Sequence, residues 1–436
     1  MILILVLACA VVNSSVMIVS LEAEPTMSED EPATPPGTDD TQEDAGAEPD
    51  TTDEPEPEDE DEPEDEPEEE PDPSAEYFTI AMMGDCTFAS DHDSREGPHS
   101  YEVVVGDDYA YPFGMVKHLY DDADFVIVNL ESAMCEYNVP VEKLFRLRAK
   151  PEYVNILLEG GVDFVALGNN HTMDYGQTGY EETQEVLSGN GIGFAPNGGW
   201  RLFTTESGLT IGVYSKNMAS ESDVTTAISE LKAAGAELLI MALHWGDEGS
   251  YRANADQKLV GRAAIDAGAH IVMGTHPHTV QEFEIYNGGF IYYSLGNWSF
   301  GGHTNPRDKD SILARVMVMR DIDGQISIIG ADNIPCSVSG SETTNDYQPT
   351  PYEIGSEEYE RTLSKLDGTF SGPNLVVSYQ SSTDETDEQL DGGHPVTGED
   401  AGDGGGDDNG GDASDGDDEA ADGNDGNDDA AGDDGD

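Results

Sequence analysis

Basic residues are scarce in this chain of 436 residues: 18 Lys and Arg stand against 92 Asp and Glu, and the formal net charge is -74. Residues 22–75 and 382–436 contain no Lys or Arg at all. The first segment is rich in Glu, Asp, Pro and Thr and the second in Asp, Gly, Asn and Ala, so neither can bury an apolar core. We predict two disordered acidic flanks that act as spacers, with specific cation or partner binding as the alternative. Such flanks repel polyanions, which argues against nucleic-acid binding.

Cysteine is also scarce, with four residues in the chain. Cys9 lies in an apolar N-terminal segment, residues 1–21, that lacks the basic residues of a typical signal. This segment predicts an export signal or an uncleaved membrane anchor, and residues 6–9 (VLAC) resemble a lipoprotein cleavage box that would leave Cys9 lipidated. Each alternative places the following chain outside the cytoplasm. Cys86 and Cys135 are interpreted either as a disulfide between two loops or as two buried thiols.

Charge is more balanced between residues 76 and 335, which contain 16 basic and 37 acidic residues. Apolar strands and amphipathic helices alternate there, a pattern typical of a largely parallel sheet covered by helices. The predicted strands are Phe78–Met83, Phe125–Asn129, Val162–Leu167, Leu209–Tyr214, Glu237–Leu243 and His270–Met273. The predicted helices are Pro112–Tyr120, Glu152–Leu158, Tyr180–Leu187, Val224–Ala234, with Ser222 or Asp223 as its N-cap, and Asp256–Ala267.

Two hairpins are predicted after the last of these strands, over residues 283–294 and 312–329. Their antiparallel strands suggest a second sheet that packs on the first. Residues 336–381 are interpreted as a C-terminal extension that either packs on the domain or belongs to the linker.

Five short polar clusters each follow an apolar run: GDC at 84–86, NLE at 129–131, GNNH at 168–171, HWGDE at 244–248 and THPH at 275–278. Open α/β sheets form their binding sites from loops at the carboxyl ends of strands. Carboxylate, amide and imidazole groups brought together there are suitable ligands for a divalent metal ion. The clusters therefore predict that six side chains converge on one metal site: Asp85, Glu131, Asn170, His244, His276 and His278.

The two carboxylates differ in how strongly their positions indicate a ligand. Asp85 ends the first strand, where a turn-forming or helix-capping Asp is the alternative. Glu131 directly follows a buried apolar strand, so it must be paired, bound to metal or at the solvent edge. A metal-bridging role is favoured for Glu131.

The imidazoles are also distinguished by their surroundings. His244 ends an apolar strand and, taken alone, is more typical of a core histidine than of a ligand. Pro277 disfavours helical geometry at His276, which predicts an extended segment whose two imidazoles, His276 and His278, project to the same side.

One helical turn after Gly168 would place Asp174 beside His171, where a carboxylate holds the imidazole tautomer. The sequence thus predicts a metal-ligating Asn170 next to a proton-transferring His171. A capping Asn and an incidental His are the alternative.

Through these motifs the chain resembles the CapA-type capsule synthesis proteins of poly-γ-glutamate capsules, which look like a branch of the calcineurin-like metallophosphoesterase superfamily. The resemblance covers about residues 77–335 and includes NLE at 129–131, GNNHTMDYG at 168–176, HWG at 244–246, HPH at 276–278 with Gln281, and YSLGN at 293–297. It implies an α/β fold, a two-sheet αββα sandwich of the metallo-dependent phosphatase type.

The resemblance also implies a role for each candidate residue. Asp85 and His278 would bind one ion, Glu131 would bridge, and Asn170, His244 and His276 would bind the second, while His171 would protonate a leaving group. Such a mixed N/O ligand set suits Mn, Fe or Zn.

The chain departs from the superfamily pattern at two positions. Thr87 stands where the first motif usually has a His, and Glu131 stands where an Asp usually bridges. A single ion, or substitution by His92, are the alternatives to a complete pair of ions.

Four of the 18 basic residues alternate within eight positions: Lys143, Arg146, Arg148 and Lys150. We interpret them as a binding strip for substrate carboxylates or phosphates, with an ordinary solvated strand as the alternative. The implied process is capsule or poly-γ-glutamate biosynthesis. The protein is expected to be a metal-dependent hydrolase or transferase, or else a non-catalytic component that binds the anionic polymer. Expected partners are the anionic polymer or a phosphoester substrate, the membrane through residues 1–21, and membrane proteins of capsule synthesis.

Overall fold

A computed structural model describes residues 74–376. The predicted N-terminal signal or anchor with Cys9, the acidic linker before residue 74 and the acidic C-terminal tail lie outside the described residues. Within residues 74–376, no helix is both long enough and apolar enough to cross a membrane.

The first sheet has seven strands. Across the sheet they are β15 (Thr350–Pro351), β14 (Ile326–Ser337), β13 (Asp310–Arg320), β1 (Glu76–Cys86), β2 (Phe125–Leu130), β5 (Phe164–Ala166) and β6 (Gly193–Ala195). In this sheet, the strands β1, β2, β5 and β6 are parallel to one another. The strands β13, β14 and β15 are joined to β1 through antiparallel pairings.

The second sheet has six strands. In order they are β11 (Phe283–Tyr286), β12 (Gly289–Tyr292), β10 (Ile271–Thr275), β9 (Leu238–His244), β8 (Thr210–Asn217) and β7 (Gly199–Thr204). The inner strands are parallel, and β11 and β7 pair antiparallel at the two edges. A separate parallel pair is formed by β3 (Ala133–Met134) and β4 (Arg148–Ala149).

The helices connect these strands. They are α1 (Tyr101–Val104), α2 (Val154–Gly160), α3 (Gly176–Gly189), α4 (Glu221–Ala233), α5 (Ala255–Ala267) and α6 (Glu357–Leu366). Three short 3₁₀ helices lie at Tyr111–Phe113, Lys117–Leu119 and Pro151–Tyr153.

Side-chain alternation along the strands shows how the layers stack. In β9, Leu238 and Ile240 pack in a core shared with Ile80 and Phe125 of the first sheet, so the two sheets face each other. Leu239 faces the other way and packs with apolar residues of α4 and α5. On the far side of the first sheet, α2 and α3 pack in the same manner against β1 and β2. Both faces of each sheet are buried, and the predicted αββα sandwich is confirmed.

Several predicted elements differ in detail. The helix predicted over Pro112–Tyr120 is two short 3₁₀ helices, Tyr111–Phe113 and Lys117–Leu119, instead. The N-cap of α4 is Ser220, because its hydroxyl accepts from the Asp223 amide while the Asp223 carboxylate accepts from the Ser220 amide. The prediction of Ser222 or Asp223 at this position was wrong.

The two predicted hairpins do form, but they join different sheets. The pair β11 and β12 extends the second sheet, whereas β13 and β14 extend the first beside β1. The second sheet is therefore not a product of the closing hairpins alone, since it is built around the parallel strands β8, β9 and β10.

Residues 336–376 belong to the same fold, and the predicted domain boundary at 335 falls inside β14. The anchor of this extension is α6, where Lys365 Nζ lies 2.6 Å from an Asp308 oxygen and 2.7 Å from an Asp310 oxygen. Arg361 makes two hydrogen bonds to the Asp310 carboxylate, of 2.8 and 2.6 Å. Charge pairing thus fastens the extension to the start of β13.

Candidate metal centre

The six predicted ligands lie at the carboxyl ends of five parallel strands. Asp85 ends β1, Glu131 follows β2, Asn170 follows β5, His244 ends β9, and His276 and His278 follow β10. Because both sheets direct these ends to one side of the sandwich, the side chains meet there. All are buried except Asn170, which is half-buried.

Two of the imidazoles face the first sheet's polar groups directly. His244 Nε2 lies 2.9 Å from Asn170 Oδ1 and 3.3 Å from Glu131 Oε1. On the opposite side, His278 Nδ1 lies 3.5 Å from Asp85 Oδ2, and the backbone amide of His276 donates to the same carboxylate at 3.1 Å. The structure therefore brings the predicted ligands together.

Two groups of ligand atoms match the two ion positions that the resemblance implies. Glu131, His244 and His276 form one group and Asp85, Glu131 and His278 the other, with the atoms of each group within 4.8 Å of one another. Glu131 belongs to both groups, as a bridging ligand would. This arrangement could hold one or two ions.

The donor atoms themselves also fit a cation. Both Glu131 oxygens, His276 Nδ1 and His278 Nε2 are buried and have no hydrogen-bond partner among the described residues. Buried polar atoms normally have such partners, because an unsatisfied one is costly. Imidazole nitrogens and a carboxylate in this state are suitable ligands for a transition-metal ion.

The electrostatics of the centre point the same way. Burial, together with the Asp85 charge, raises the pKa of Glu131 to about 8. Burial lowers the pKa of His244 to about 3, so its imidazole is neutral, which is the form that binds a metal. A bound cation would favour the ionised form of Glu131.

The backbone at the two HPH histidines is unusual. His276 has φ 101° and His278 has φ 57°, both in the left-handed half of backbone space that side-chain-bearing residues seldom adopt. The extended geometry predicted for His276 was therefore wrong, although both imidazoles reach the centre. Strain of this kind is typical of functional sites that the surrounding fold holds in place.

His171 and Asp174 form a pair beside the ligands. Asp174 Oδ2 lies 2.6 Å from His171 Nδ1, and the segment makes a turn in which the Asp174 amide donates to the His171 carbonyl. Lys143 Nζ donates to the other Asp174 oxygen at 2.7 Å and to the Asn170 carbonyl at 2.8 Å. Although burial raises the pKa of Asp174, His171 and Lys143 lower it below its usual value, so the carboxylate stays charged.

Two residues at the centre were not among the predicted ligands. Glu248, in the loop after β9, forms a third group of potential ligands with His276 and His278. Asn297 Oδ1 lies 2.8 Å from His278 Nδ1 and so directs Nε2 of that ring into the centre. Both residues lie within motifs singled out in the sequence, HWGDE and YSLGN, but their spacing from the strand ends gave no sign of contact.

Gly84 packs closely against the backbone of Gly296, beside the centre. A Cβ at this position would overlap the carbonyl oxygen of Gly296. The Asp85 amide donates to the same carbonyl at 3.0 Å, and the Trp298 amide donates to the Asp85 carbonyl at 2.8 Å. The first and the last motif therefore meet through their backbones.

The four residues of the predicted basic strip have different contacts. Lys143 is at the His171–Asp174 pair, whereas Arg146 forms an ion pair with Asp93. Arg148 lies over the ring of Tyr175, 5.7 Å from its centroid, and exposed Lys150 lies over Tyr153 at 5.4 Å.

The remaining candidates lie outside the ligand groups. His92 Nδ1 lies 2.8 Å from the Tyr175 hydroxyl, and His92 belongs to none of the metal-binding groups found among the described residues. Cys86 and Cys135 are both buried free thiols.

Comparison with known sequences follows the same region. A family model described as bacterial capsule synthesis protein PGA_cap matches residues 79–199 and 196–301. These matches include all six predicted ligands.

Curated relatives match over a similar span. The capsule biosynthesis protein CapA of Bacillus anthracis is 28% identical over 271 residues, which cover 55% of this chain and 64% of that protein. The PGA biosynthesis protein CapA of Bacillus subtilis is 28% identical over 50% of this chain and 64% of its own length. A probable polyglutamine synthesis accessory protein of Mycobacterium tuberculosis is 25% identical over 47% of this chain and 65% of its length. The chain thus spans less than two thirds of each of these relatives.

Among solved structures, TT1561 of Thermus thermophilus matches with a TM-score of 0.33 and 8% identity, over 58% of this chain and 98% of that one.

Proposed function

Because this chain belongs to the PGA_cap family of bacterial capsule synthesis proteins, we propose that it takes part in capsule or poly-γ-glutamate biosynthesis as a metal-dependent hydrolase or transferase. The bond it acts on is a phosphoester or an amide. The names of the Bacillus relatives support the process.

One observation carries the proposal of chemistry. Four ligand atoms of Glu131, His276 and His278 have no hydrogen-bond partner among the described residues, although all three side chains are buried. A site that only filled space would pair or replace such atoms, since each unsatisfied group costs about 1–3 kcal/mol. A bound divalent ion offsets this cost.

One or two ions of Mn, Fe or Zn would be held by the six candidate ligands, Asp85, Glu131, Asn170, His244, His276 and His278. When bound, such ions polarise the scissile group and activate water. His171 would protonate the leaving group from Nε2, because its Nδ1 is engaged by Asp174 at 2.6 Å. Asp174 and Lys143 would keep the ring oriented throughout.

We also propose that the domain lies outside the cytoplasm, where it is either anchored at the membrane or released from it. The apolar N-terminal segment, residues 1–21, and the acidic linker that follows it support this location. An anionic polymer is then the proposed substrate, and membrane proteins of capsule synthesis are the proposed partners.

The deciding experiment measures metal content and activity on the same preparation. Stoichiometric Mn, Fe or Zn and hydrolysis of p-nitrophenyl phosphate are expected for the wild type. His171→Ala should lower this hydrolysis by about 10²- to 10⁴-fold, the contribution of a positioned general acid. His118→Ala removes an exposed imidazole and is the matched control.

A wild-type protein that binds polymer without any hydrolysis would support the alternative function, a non-catalytic assembly component. Polymer binding that survives in His171→Ala, with no metal in the purified protein, is the result that rejects the enzyme.

A further inference from the structure

Two arginines near the metal centre lack acidic partners. All 18 basic residues lie between positions 95 and 365, and many of them form ion pairs. Arg95 and Arg148 form none with any carboxylate within residues 74–376. In a chain with 92 acidic residues, no ion pair among the described residues thus neutralises these two half-buried guanidinium groups.

The two arginines meet at one tyrosine. Arg95 Nη2 donates to the Tyr175 hydroxyl at 3.1 Å, and the Arg148 guanidinium lies 5.7 Å from the centroid of the same ring. Arg148 Nη1 also donates to the Cys135 carbonyl at 2.7 Å, which fixes its position. Tyr175 is fully buried, so its ring is a rigid platform between the arginines. Planar guanidinium groups arranged in this way are suited to binding a carboxylate through paired N–H donors.

A third arginine, Arg146, lies two residues before Arg148. Its pairing with Asp93 is the one ion pair of the three arginines within the described region, and its backbone amide donates to Asp91 Oδ2 at 2.7 Å. The Nε atoms of Arg95, Arg146 and Arg148 have no hydrogen-bond partner there either. The three guanidinium groups therefore have one carboxylate partner between them among the described residues.

The position of the group relates it to the chemistry. Tyr175 directly follows Asp174, which contacts His171. The amide of Leu147, between Arg146 and Arg148, donates to Asp174 Oδ2 at 2.8 Å. The segment that carries Arg146 and Arg148 thus contacts the carboxylate that orients the proposed proton donor.

We infer that Arg95, Arg148 and the Tyr175 ring form a subsite for a carboxylate of the anionic polymer, next to the bond that reacts. This inference rests on the proposed function, because it takes the polymer as the substrate. It also replaces the predicted strip, since Arg95 belongs to the subsite and Lys150 does not.

The test measures binding of a γ-linked glutamate oligomer to the full, metal-loaded chain by calorimetry. Arg95→Gln and Arg148→Gln are each expected to weaken binding about 10- to 100-fold, the effect of losing a charge-assisted hydrogen bond. Lys150→Gln removes a neighbouring exposed charge and should change Kd by less than about twofold. Thermal melting of each variant checks that the fold is kept, and the milder Tyr175→Phe, which removes only the hydroxyl that orients Arg95, should weaken binding in the same direction.

Equal weakening by Lys150→Gln would overturn the subsite in favour of a diffuse charge effect. Unchanged binding in both folded arginine variants would overturn it too. Inorganic phosphate is the second probe: arginine-dependent binding of phosphate, with none of the oligomer, rejects a carboxylate as the occupant.

The outcomes separate this inference from the proposed function. Arginine-dependent binding without hydrolysis supports the subsite and contradicts the enzyme. If the protein hydrolyses the polymer and neither Arg95→Gln nor Arg148→Gln changes the KM of this reaction, the result supports the enzyme and contradicts the subsite.

Discussion

Asp174 Oδ2 lies 2.6 Å from His171 Nδ1, and both side chains are 1% exposed. A carboxylate this close fixes which imidazole nitrogen can carry a proton to the substrate. The pair depends on a single turn between two residues three positions apart, so its contribution can be tested without disturbing the sheets.

Asp174→Asn is expected to lower kcat with little change in KM. The loss should be smaller than the about 10²- to 10⁴-fold that a positioned general acid contributes. Steady-state kinetics of Asp174→Asn, His171→Ala and the double variant provide the measurement. Because both residues act through one proton, their effects should be far from additive. Additive losses would contradict a shared role.

Glu131→Gln is expected to reduce bound metal, because Glu131 belongs to both ligand groups. Elemental analysis of the purified protein measures the stoichiometry, and added Mn, Fe or Zn should raise the Tm of the wild type but not of the variant. Glu206→Gln, at an exposed position, is the control. Full metal content in Glu131→Gln would exclude the bridging assignment.

Asn297→Ala is expected to weaken metal binding about 10- to 100-fold, since a residue that orients an imidazole ligand typically contributes this much. The physical reason is the 2.8 Å contact with His278 Nδ1, which keeps Nε2 directed at the centre. Competition with a chromogenic chelator measures the affinity. An unchanged affinity would mean that Asn297 is not needed to orient His278.

Lys365→Ala is expected to lower the free energy of unfolding by about 3–5 kcal/mol, because it leaves Asp308 and Asp310 as buried carboxylates with one cation fewer. Urea denaturation provides the measurement. Lys258→Ala, which removes the exposed lysine of a 3.6 Å pair with Glu282, should cost about 0–1 kcal/mol. Equal effects of the two variants would show that the extension contributes little to the fold.

Acid should destabilise the domain through Asp310. Burial raises the pKa of this carboxyl, but Arg361 and Lys365 outweigh it, and the folded-state pKa lies below the usual 3.8. The folded pKa is therefore lower than the unfolded one, so the stabilisation is present above the usual value and is lost as pH falls through the lowered one.

Urea denaturation from neutral pH to about pH 3 checks this sign. Asp310→Asn should be less stable at neutral pH and should lose less stability on acidification than the wild type. Burial and the Asp310 charge raise the pKa of neighbouring Asp308, so this opposite contribution is smaller in Asp310→Asn. Parallel pH profiles for the two proteins would contradict the assignment.

The fold could be predicted from the sequence wherever burial leaves a regular pattern. The runs that form β2 and β9 are apolar up to Asn129 and His244, because both faces of their sheets are covered. The edge strands β6 and β7 escaped prediction because their residues are mostly half-buried or exposed, so no apolar alternation marks them. The helix α6 escaped for a related reason, since charge pairs at Arg361 and Lys365 anchor it.

The ligands of the candidate site could be predicted from the sequence, but the residues that surround and orient them could not. Each of the six side chains comes directly at or soon after a strand end, where strand topology brings side chains together. Glu248 and Asn297 reach the centre across loops, and Arg95 approaches Tyr175 from 80 residues away. Such contacts depend on loop paths that no local periodicity encodes.

The backbone contact between Gly84 and Gly296 has a consequence for how the protein matures. All six candidate ligands have left the ribosome once residue 278 emerges. The backbone hydrogen bonds that hold Asp85 in place can form only after Gly296 and Trp298 have followed. A nascent chain would therefore carry a complete set of donors without a cavity to receive an ion. Metal uptake should therefore follow the contact between the two segments that carry Gly84 and Gly296.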